Sequence, residues 1–598
     1  MKNLFGEDVG KRARGATKTL RQKEALGCIA CDLDRAPGAV KVINLDLVTG
    51  QKVFVWAQTP GARESEQGLE LVGPSGQFLW DELRAVGITR EDCDIQNICR
   101  CQPVTSVDGN TPTKRQIKCC SVHSAQAIQR NGGAAVVHLI LGKIAGLELL
   151  GKLYSKAKAA VWVPQWNAYA VCADHPARVL RAGGKKAGWL YWNFKDKVKA
   201  VKAILDHPGR WGYVEAQDYG AVTTPREIIA LAREVKKNVA NGKRVAVDIE
   251  DGEINGEKAI LMVGFSTRKG RARSVVLRHP EIPVDDAVID ALTMGVAALL
   301  EDPAIPKTFQ HGSYDVNQLR DLLGVRVRGY VFDTQYAAFL WRSHLRTYGL
   351  DSLVGYFLQE FGDYKQMVAE YYPNLANAPL NRLVKYNCAD CDVTKRVELM
   401  TEGKISLELL RVYIHAAFTL NAMEGRGPIL DREALAKLKD FLAPRVEELT
   451  RQLKQIAEDP EFNPNTPAKV AALLYDQLGL PKPEDPKTHK PSRSTGKDAL
   501  DFLTQQSRHP AIRLMQRHRK ASKMLGALAG YEKSADMHGG ELRTIWWLCG
   551  AATGRLRSGK SEKAEVKEGV MNFQNLARNV AMKNPLVSDV NWRLALED

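Results

Sequence analysis

The sequence predicts a multidomain α/β protein whose C-terminal third is mainly helical, and three observations lead to that fold class. First, 598 residues are too many for one hydrophobic core, which predicts two to four domains. Second, apolar runs typical of buried strands, such as RVAVDIEDGE and AILMVGFS, alternate with helical segments such as DDAVIDALTMGVAALLED. Third, the chain after about residue 403 changes to long amphipathic helices, for example ALAKLKDFLAPRVEELTRQLKQIAE.

Composition and charge narrow the class of partner. A hydrophobic content of 44% and a charged content of 26% exclude a largely disordered or fibrous chain. The formal net charge of +16 predicts a polyanionic partner, most often nucleic acid. The most apolar segment, 134–150, is interrupted by His138, Lys143 and Glu148, so it predicts a buried strand followed by a helix and not a membrane span. The first residues carry no signal-peptide core, so we expect a cytoplasmic protein with no membrane partner.

Glycine- and proline-rich punctuation divides the chain into the expected domains. The boundaries that we predict are 1–183, a connector at 184–213, a second domain at 214–402 and a third region at 403–598. The connector contains GWLYWNFKDKVKAVKAILDHPG, which predicts a linking helix.

Most of the 11 cysteines lie in the first third of the chain. A reducing compartment argues against a disulfide framework, so this asymmetry predicts an N-terminal domain with its own chemistry. Cys28 and Cys31 form a CxxC pair that Cys101 and Cys120 could complete to a set of four thiolates. Such a set suits either zinc or an iron–sulfur cluster.

A constellation of carboxylates lies in the middle of the chain. Asp248 and Glu250 alternate on a predicted strand, so they share one face, where their repulsion is tolerated best beside a divalent cation. Asp315 stands at a predicted helix start, and Asp390 follows Tyr386 by one helical turn. Four carboxylates converging on two Mg²⁺ or Mn²⁺ ions suit in-line attack of water on a phosphodiester, with the tyrosine hydroxyl orienting the water.

The motifs around these residues carry a family resemblance. AVDIEDG, TFQHGSYDVNQL, VFDTQYAAFLW and YNCADCDVT, in that order, resemble the exonuclease motifs of the DnaQ-like (DEDD) 3′–5′ exonucleases. The Tyr-x-x-x-Asp ending is similar to the subtype with a tyrosine. The resemblance implies an RNase H-like exonuclease domain and catalytic roles for Asp248, Glu250, Asp315, Tyr386 and Asp390, the four acids being the metal ligands.

The C-terminal third resembles part of the family A DNA polymerases. FNPNTPAKVAALLYDQLGLP is similar to the thumb, and AATGRLRS and MNFQNLA are similar to motifs that contact the primer-template. Arg513, Arg517 and Lys520 lie at i, i+4 and i+7, a stripe able to meet phosphates, although the spacing alone fits an ordinary solvated basic face equally well. The resemblance assigns further DNA contacts to Thr553, Gly554, Arg555, Gln574 and Asn575.

The last segment, NWRLALED, resembles the strand that leads into polymerase motif A, where Asp598 matches the first metal ligand for nucleotidyl transfer. The resemblance implies a mainly α-helical thumb and only the start of the palm, so we expect that this chain alone does not polymerise DNA. A second polypeptide carrying the rest of the polymerase domain is an expected partner. A split gene, an intron and a truncation fit the ending equally.

The N-terminal region resembles the family 4 uracil-DNA glycosylases. The matching segments are AQTPGARESEQGLELVGPSGQFLWDELRAVGITRED, DIQNICRCQP, VVHLILGKIAGLELLG and ADHPARVLR, in that order. The resemblance implies a glycosylase-like α/β/α sandwich with a [4Fe–4S] cluster at Cys28, Cys31, Cys101 and Cys120. It also implies a pocket that reads a base flipped out of the duplex.

Two departures change what we expect of that pocket. By the resemblance, Asn97 contacts the uracil edge and His175 stabilises the leaving uracil anion. Gln58 stands where the family usually has Glu, and Leu71 occupies the place of the Phe on which uracil stacks. Losing an aromatic stacking partner costs on the order of 1–3 kcal/mol. The departures favour a DNA-binding or uracil-sensing module over an active glycosylase.

The sequence therefore predicts a fragment of a phage-type family A replication polymerase with a proofreading exonuclease, acting in a bacterial or phage-infected cytoplasm on single-stranded DNA and primer-template. One alternative is a stand-alone nuclease of RNase D type with RNA-binding helices. Another is a non-catalytic DNA-binding half of a split polymerase. TGRL and NFQNL favour DNA over RNA as the substrate.

Overall fold

The structure is a computed structural model, and it describes residues 50–103, 111–156, 159–282, 285–345, 347–425, 427–485, 490–559 and 571. The chain divides into two compact units, Met1–Ile414 and His415–Asp598. The first unit holds two α/β regions and the second is mainly helical, which confirms the predicted multidomain α/β class. Predictions that lie outside the described residues concern Cys28, Cys31, Gln574, Asn575 and Asp598.

The first α/β region is built on a five-stranded sheet with the order β2-β1-β3-β5-β4. Its strands are β1 (Val53–Ala57), β2 (Cys93–Asn97), β3 (Val137–Leu141), β4 (Val161–Val163) and β5 (Ala168–Ala173). All neighbours are parallel except β4 and β5. Runs such as VFVWA and VHLIL are apolar on both faces because helices cover the two sides of a parallel sheet.

The helices of this region are α1 (Ala62–Gln67), α2 (Pro74–Arg84), α3 (Lys114–Asn131), α4 (Lys143–Leu150), α5 (Pro176–Arg181) and α6 (Trp189–Asp206). Strand β3 followed by α4 confirms the strand and helix predicted for residues 134–150. The predicted linking helix is α6, and it buries Phe194, Val198 and Val201 in the core of the first sheet. In the described part of the chain, no helix is long and apolar enough to cross a membrane.

The second α/β region has a mixed six-stranded sheet with the order β11-β10-β7-β8-β9-β6. Its strands are β6 (Asp218–Val222), β7 (Val245–Ile254), β8 (Glu257–Arg268), β9 (Arg271–Val276), β10 (Lys307–Phe309) and β11 (Tyr330–Asp333). Strands β7, β8 and β9 follow one another along the chain and pair antiparallel, which makes them a meander. Strands β6, β10 and β11 extend it by parallel pairing.

Helices pack around this second sheet. They are α7 (Gly212–Glu215), α8 (Pro225–Ala240), α9 (Asp286–Leu300), α10 (Ser313–Leu323), α11 (Thr334–Trp341), α12 (Leu350–Phe357) and α13 (Leu380–Thr401), followed by α14 (Leu407–Glu424). Short 3₁₀ turns lie at Gly151–Lys156, Gly184–Lys186, Gln359–Phe361, Tyr364–Met367, Ala369–Tyr371 and Leu375–Asn377. Helix α13 contacts β7, β8 and β9, so it crosses the middle of the meander.

The second unit is built on long helices. Its elements are α15 (Arg432–Ala457), α16 (Pro467–Ala471), a π-helical turn (Ala472–Gln477), α17 (Lys497–Gln506), α18 (Pro510–Met537) and a short hairpin of β12 (Trp546–Trp547) and β13 (Arg557–Ser558). Helices α15 and α18 pack together through Leu438 and Leu442 on one side and Leu528 and Tyr531 on the other. Their apolar residues recur at helical spacing, as the sequence pattern predicts.

Candidate active site

The carboxylates of the second sheet meet where helix α13 crosses strand β7. Asp248 and Glu250 alternate on β7 and therefore point to the same face. Tyr386 and Asp390 are one turn apart on α13. One oxygen from each of Asp248, Glu250 and Asp390 lies within 4.8 Å of the other two. Three hard oxygen donors in so small a space fit Mg²⁺ or Mn²⁺.

A glycine allows the helix to approach the sheet this closely. Gly264 on β8 is the register partner of Asp248. A Cβ at Gly264 would lie 2.4 Å from Asn387 Oδ1 and 2.5 Å from Cys391 Sγ, both on α13. Since any larger residue would push the helix outward, Gly264 sets the distance between the carboxylates of the strand and those of the helix.

Burial and mutual repulsion dominate the electrostatics of this cluster. Burial, reinforced by the neighbouring carboxylates, raises the pKa of Asp248 well above its ordinary range. Burial and the charge of Asp390 do the same to the pKa of Glu250. The amide of Asn387 donates to Asp248 Oδ2 at 2.9 Å, which holds that side chain in place. Like charges held together in this way favour a divalent cation between them.

Asp315 lies beside the three-carboxylate group, in the first turn of α10. Its carboxylate accepts a hydrogen bond from the backbone N–H of Ile249, the residue between Asp248 and Glu250, while burial raises its pKa to about 7. The group within 4.8 Å does not include Asp315. The structure therefore brings together three of the four predicted ligands and holds the fourth at the strand that carries two of them.

Two residues of this site escaped the sequence analysis. Lys365 Nζ donates to both oxygens of Asp390, at 3.0 and 2.9 Å, and to the Tyr386 hydroxyl at 3.2 Å. Burial opposes its charge, but the surrounding carboxylates outweigh burial and raise the pKa of Lys365. The hydroxyl of Tyr364 also donates to Asp390. The segment DYKQ that carries them lies between the recognised motifs and offers no pattern by which to find them.

The four residues predicted for the glycosylase-like pocket line one cavity of about 620 Å³. Gln58 follows β1, Asn97 ends β2, and His175 lies just beyond β5. Because these strands are parallel, their carboxyl ends open on the same edge of the sheet, where such folds bind ligands. Leu71 completes the lining at a positive φ of 52°.

His175 is neutral in this cavity. Its Nδ1 accepts a hydrogen bond from the backbone N–H of Ala177 at 3.2 Å, so Nε2 carries the proton. Burial lowers the pKa of His175. The cavity therefore offers neutral donors and acceptors from His175, Asn97 and Gln58.

Two of the four predicted cluster ligands are described, and they lie together. Cys101 and Cys120 form a buried cluster with Cys99. Hydrogen bonding by the Cys99 thiol lowers the pKa of Cys120 to about 7. A thiol with a low pKa is readily deprotonated to the thiolate that a metal or cluster needs. The contact of Cys99 with this pair was not predicted from the sequence.

Those predicted DNA-binding residues of the second unit that the structure describes are at its surface. Arg513, Arg517 and Lys520 are exposed on one stripe of α18. Thr553 and Arg555 are exposed in the turn that joins β12 to β13.

Three family models match separate parts of the chain. Residues 47–199 match the uracil DNA glycosylase superfamily, residues 224–401 match a 3′–5′ exonuclease family, and residues 432–565 match DNA polymerase family A.

Curated relatives repeat this division. DNA polymerase I of Pseudomonas aeruginosa is 28% identical over 336 residues, which cover 54% of this chain and 36% of that protein. The type-4 uracil-DNA glycosylase of Archaeoglobus fulgidus is 30% identical over 173 residues, covering 26% of this chain and 80% of that protein. That of Pyrobaculum aerophilum is 30% identical over 141 residues, covering 22% of this chain and 68% of that protein. The chain thus spans about a third of the length of the first polymerase.

Among solved structures, the polymerase domain of Pol1 from M. smegmatis, in complex with DNA primer-template and dNTP, aligns with a TM-score of 0.46. The alignment has 23% sequence identity and covers 61% of this chain and 57% of that chain.

Proposed function

Because the chain belongs to the family A DNA polymerases with a 3′–5′ exonuclease domain, and its N-terminal domain to the type-4 uracil-DNA glycosylases, we propose that it trims single-stranded DNA from the 3′ end during DNA synthesis. The observation that carries this proposal is the cluster of Asp248, Glu250 and Asp390 oxygens within 4.8 Å. Buried like charges are costly to a fold, so a cluster of this kind points to a metal-dependent reaction.

The residues of the site have separate roles in this proposal. Asp248, Glu250 and Asp390 would hold two Mg²⁺ or Mn²⁺ ions, with Asp315 beside them. Such ions, when bound, lower the pKa of an attacking water and stabilise the leaving oxygen of the phosphodiester. The Tyr386 hydroxyl orients the water.

The second unit would hold the primer-template. The exposed stripe of Arg513, Arg517 and Lys520 and the net charge of +16 support this assignment, because phosphate contacts supply most of the affinity for DNA. Thr553 and Arg555, which are exposed in the turn between β12 and β13, would also contact DNA phosphates.

The first α/β region would read a base flipped out of DNA. The uncharged side chains of Asn97 and Gln58 in its cavity suit the edge of uracil as hydrogen-bonding groups. A [4Fe–4S] cluster at Cys28, Cys31, Cys101 and Cys120 would stabilise this region, and the adjacency of Cys101 and Cys120 supports it. Broad visible absorbance with four irons per chain would establish the cluster, and a colourless protein with stoichiometric zinc would refute it.

The test is a comparison of matched 5′-labelled DNA and RNA single strands incubated with the purified protein and Mg²⁺. We expect a ladder of DNA products shortened one nucleotide at a time from the 3′ end, which a chelator abolishes. Preferential degradation of the RNA would instead indicate an RNase D-type nuclease. No degradation of either strand would favour the non-catalytic DNA-binding subunit and would overturn the proposal.

A further inference from the structure

A buried hydroxyl of the glycosylase-like region contacts the segment that leads to the exonuclease site, and helix α6 of the same region also lies against Gln359–Phe361. Tyr169 is the second residue of β5 in the first sheet, and it is only 3% exposed to solvent. Its hydroxyl donates to Asp363 Oδ1 at 3.0 Å and accepts from the backbone N–H of Trp211 at 2.9 Å. Both partners lie outside the first sheet and its helices, and Asp363 immediately precedes the 3₁₀ turn Tyr364–Met367.

The short segment that begins at Asp363 also contacts Asp390, one of the clustered carboxylates. Tyr364 and Lys365, the two residues after Asp363, both donate to Asp390, and Lys365 also donates to the Tyr386 hydroxyl. Three consecutive side chains therefore join the first α/β region to the carboxylate cluster of the second. Two residues span at most about 7 Å, so little slack separates the contact with Tyr169 from the contact with Asp390.

The segment is held firmly at its first residue. Asp363 also forms an ion pair with Arg210 at 3.1 Å, so each of its oxygens has a partner. Gly362, at a φ of 60°, lies against the Tyr169 ring, where a Cβ would be 3.0 Å from the ring atoms. Movement of the segment would break these contacts together.

We propose that Tyr169 is a positioning residue of the exonuclease site, which it reaches through Asp363. By fixing the segment, it holds Lys365 against Asp390 and Tyr386, so that the carboxylate and the hydroxyl are already oriented before substrate arrives. The glycosylase-like region is then a structural part of the nuclease and not a separately tethered module. This inference rests on the proposed exonuclease function.

Metal binding separates this role from general damage. Lys365 occupies both oxygens of Asp390, so in the metal-free protein its ammonium competes with a divalent cation for the same atoms. When Tyr169 no longer fixes the segment, Lys365 moves away from Asp390, and a divalent cation can bind both oxygens of that carboxylate. The Tyr386 hydroxyl then also loses its contact with Lys365 and is no longer held in one orientation. We therefore expect tighter metal binding together with slower catalysis, whereas partial unfolding would weaken both.

The experiment compares Tyr169→Phe with the wild type and with Tyr191→Phe. The control removes another hydroxyl of the first region, one that donates in a buried bond at 3.1 Å to Glu82 on helix α2 of that same region. Tyr169→Phe should lower the exonuclease kcat about fivefold with an unchanged KM for single-stranded DNA. Its Kd for Mn²⁺, measured by EPR on the metal-free full chain, should fall about threefold. Tyr191→Phe should change neither value.

A second variant tests the route. In a Tyr364→Phe/Lys365→Met background, Tyr169→Phe should have almost no further effect on kcat, because both residues through which the segment contacts Asp390 are gone. Unchanged kcat and Mn²⁺ affinity in Tyr169→Phe would overturn the proposal. So would a fall in kcat with weaker Mn²⁺ binding, or the same changes in Tyr191→Phe. If the wild type degrades no substrate, the proposed function fails, and the Mn²⁺ measurement still decides whether Tyr169 acts on the site.

Discussion

Buried ionisable side chains occur in both sheets of the first unit, but burial acts on them in different ways. In the first sheet, burial lowers the pKa of His138 to about 3 and also lowers the pKa of His175, so both rings are neutral. In the second sheet, burial and like charges raise the pKa values of Asp248 and Glu250, and Lys365 lies among them as a counter-charge.

The difference indicates two kinds of chemistry. The uncharged side chains of His175, Asn97 and Gln58 in the cavity can recognise an uncharged base edge by hydrogen bonding. Clustered carboxylates can bind divalent cations, and such cations catalyse the hydrolysis of a phosphodiester. The two regions are therefore expected to respond differently to the loss of a single polar group.

The largest expected effect is in the second sheet. Replacing Asp390 by alanine removes one of the three clustered donors and leaves Lys365 without its carboxylate, so exonuclease activity should fall by about 10³-fold or more. The rate of degradation of labelled single-stranded DNA measures this.

Asp251→Asn is the matched control for that prediction. Asp251 directly follows Glu250 but forms an ion pair with Lys258 at 2.7 Å, outside the cluster. The exonuclease activity of Asp251→Asn should stay within about twofold of that of the wild type. If Asp390→Ala kept more than about a tenth of the wild-type exonuclease activity, the expected difference between the two sheets would be contradicted.

The next effect concerns acid stability in the first sheet. His138 Nδ1 accepts from Trp56 Nε1 at 3.0 Å, and its ring stacks on Trp166. Its folded pKa, about 3, lies below the ordinary 6.5, so the unfolded chain binds the extra proton between these values. Stability is present above pH 6.5 and is lost as the pH falls below it. The loss reaches on the order of 3 kcal/mol near pH 4.

Urea unfolding followed by tryptophan fluorescence at several pH values checks this expectation. His138→Gln keeps an acceptor for Trp56 but cannot titrate in this range, so its free energy of unfolding should depend less steeply on pH, by about one proton. Equal slopes in the two proteins would show that His138 is not held neutral by its surroundings.

The smallest effect concerns the cavity. Leu71→Phe would supply a ring on which a flipped base can stack, so the affinity for DNA containing deoxyuridine should rise about tenfold over the same duplex with thymidine. Fluorescence anisotropy at fixed salt measures both duplexes. Leu69→Phe, at an exposed position of the same loop, is the control and should leave the preference unchanged. Equal gains in the two variants would remove the cavity from base recognition.

Local periodicity made half of the carboxylate site predictable. The alternation of Asp248 and Glu250 on a strand and the one-turn spacing of Tyr386 and Asp390 on a helix survive in any fold that keeps those elements. The ordered motifs then identified the domain. The same alternation of strand and helix signals gave the fold class and the strand and helix at 134–150.

Contacts that depend on tertiary packing were not predictable. Lys365 reaches Asp390 because a 3₁₀ turn brings it across 25 residues of sequence, and nothing near DYKQ records that approach. Cys99 meets Cys120 because the end of β2 runs beside α3. The packing of α6 into the first core likewise depends on the sheet beneath it, since its sequence pattern shows only an amphipathic helix.

The most direct test of the account measures removal of a mismatched 3′ nucleotide from a primer-template in Mg²⁺ by the wild type and by Asp248→Ala/Glu250→Ala. Both proteins should bind the DNA equally, since the substituted residues lie in the carboxylate cluster and not on the basic stripe of α18. The account predicts trimming by the wild type and none by the double variant. Full trimming by the double variant would contradict it.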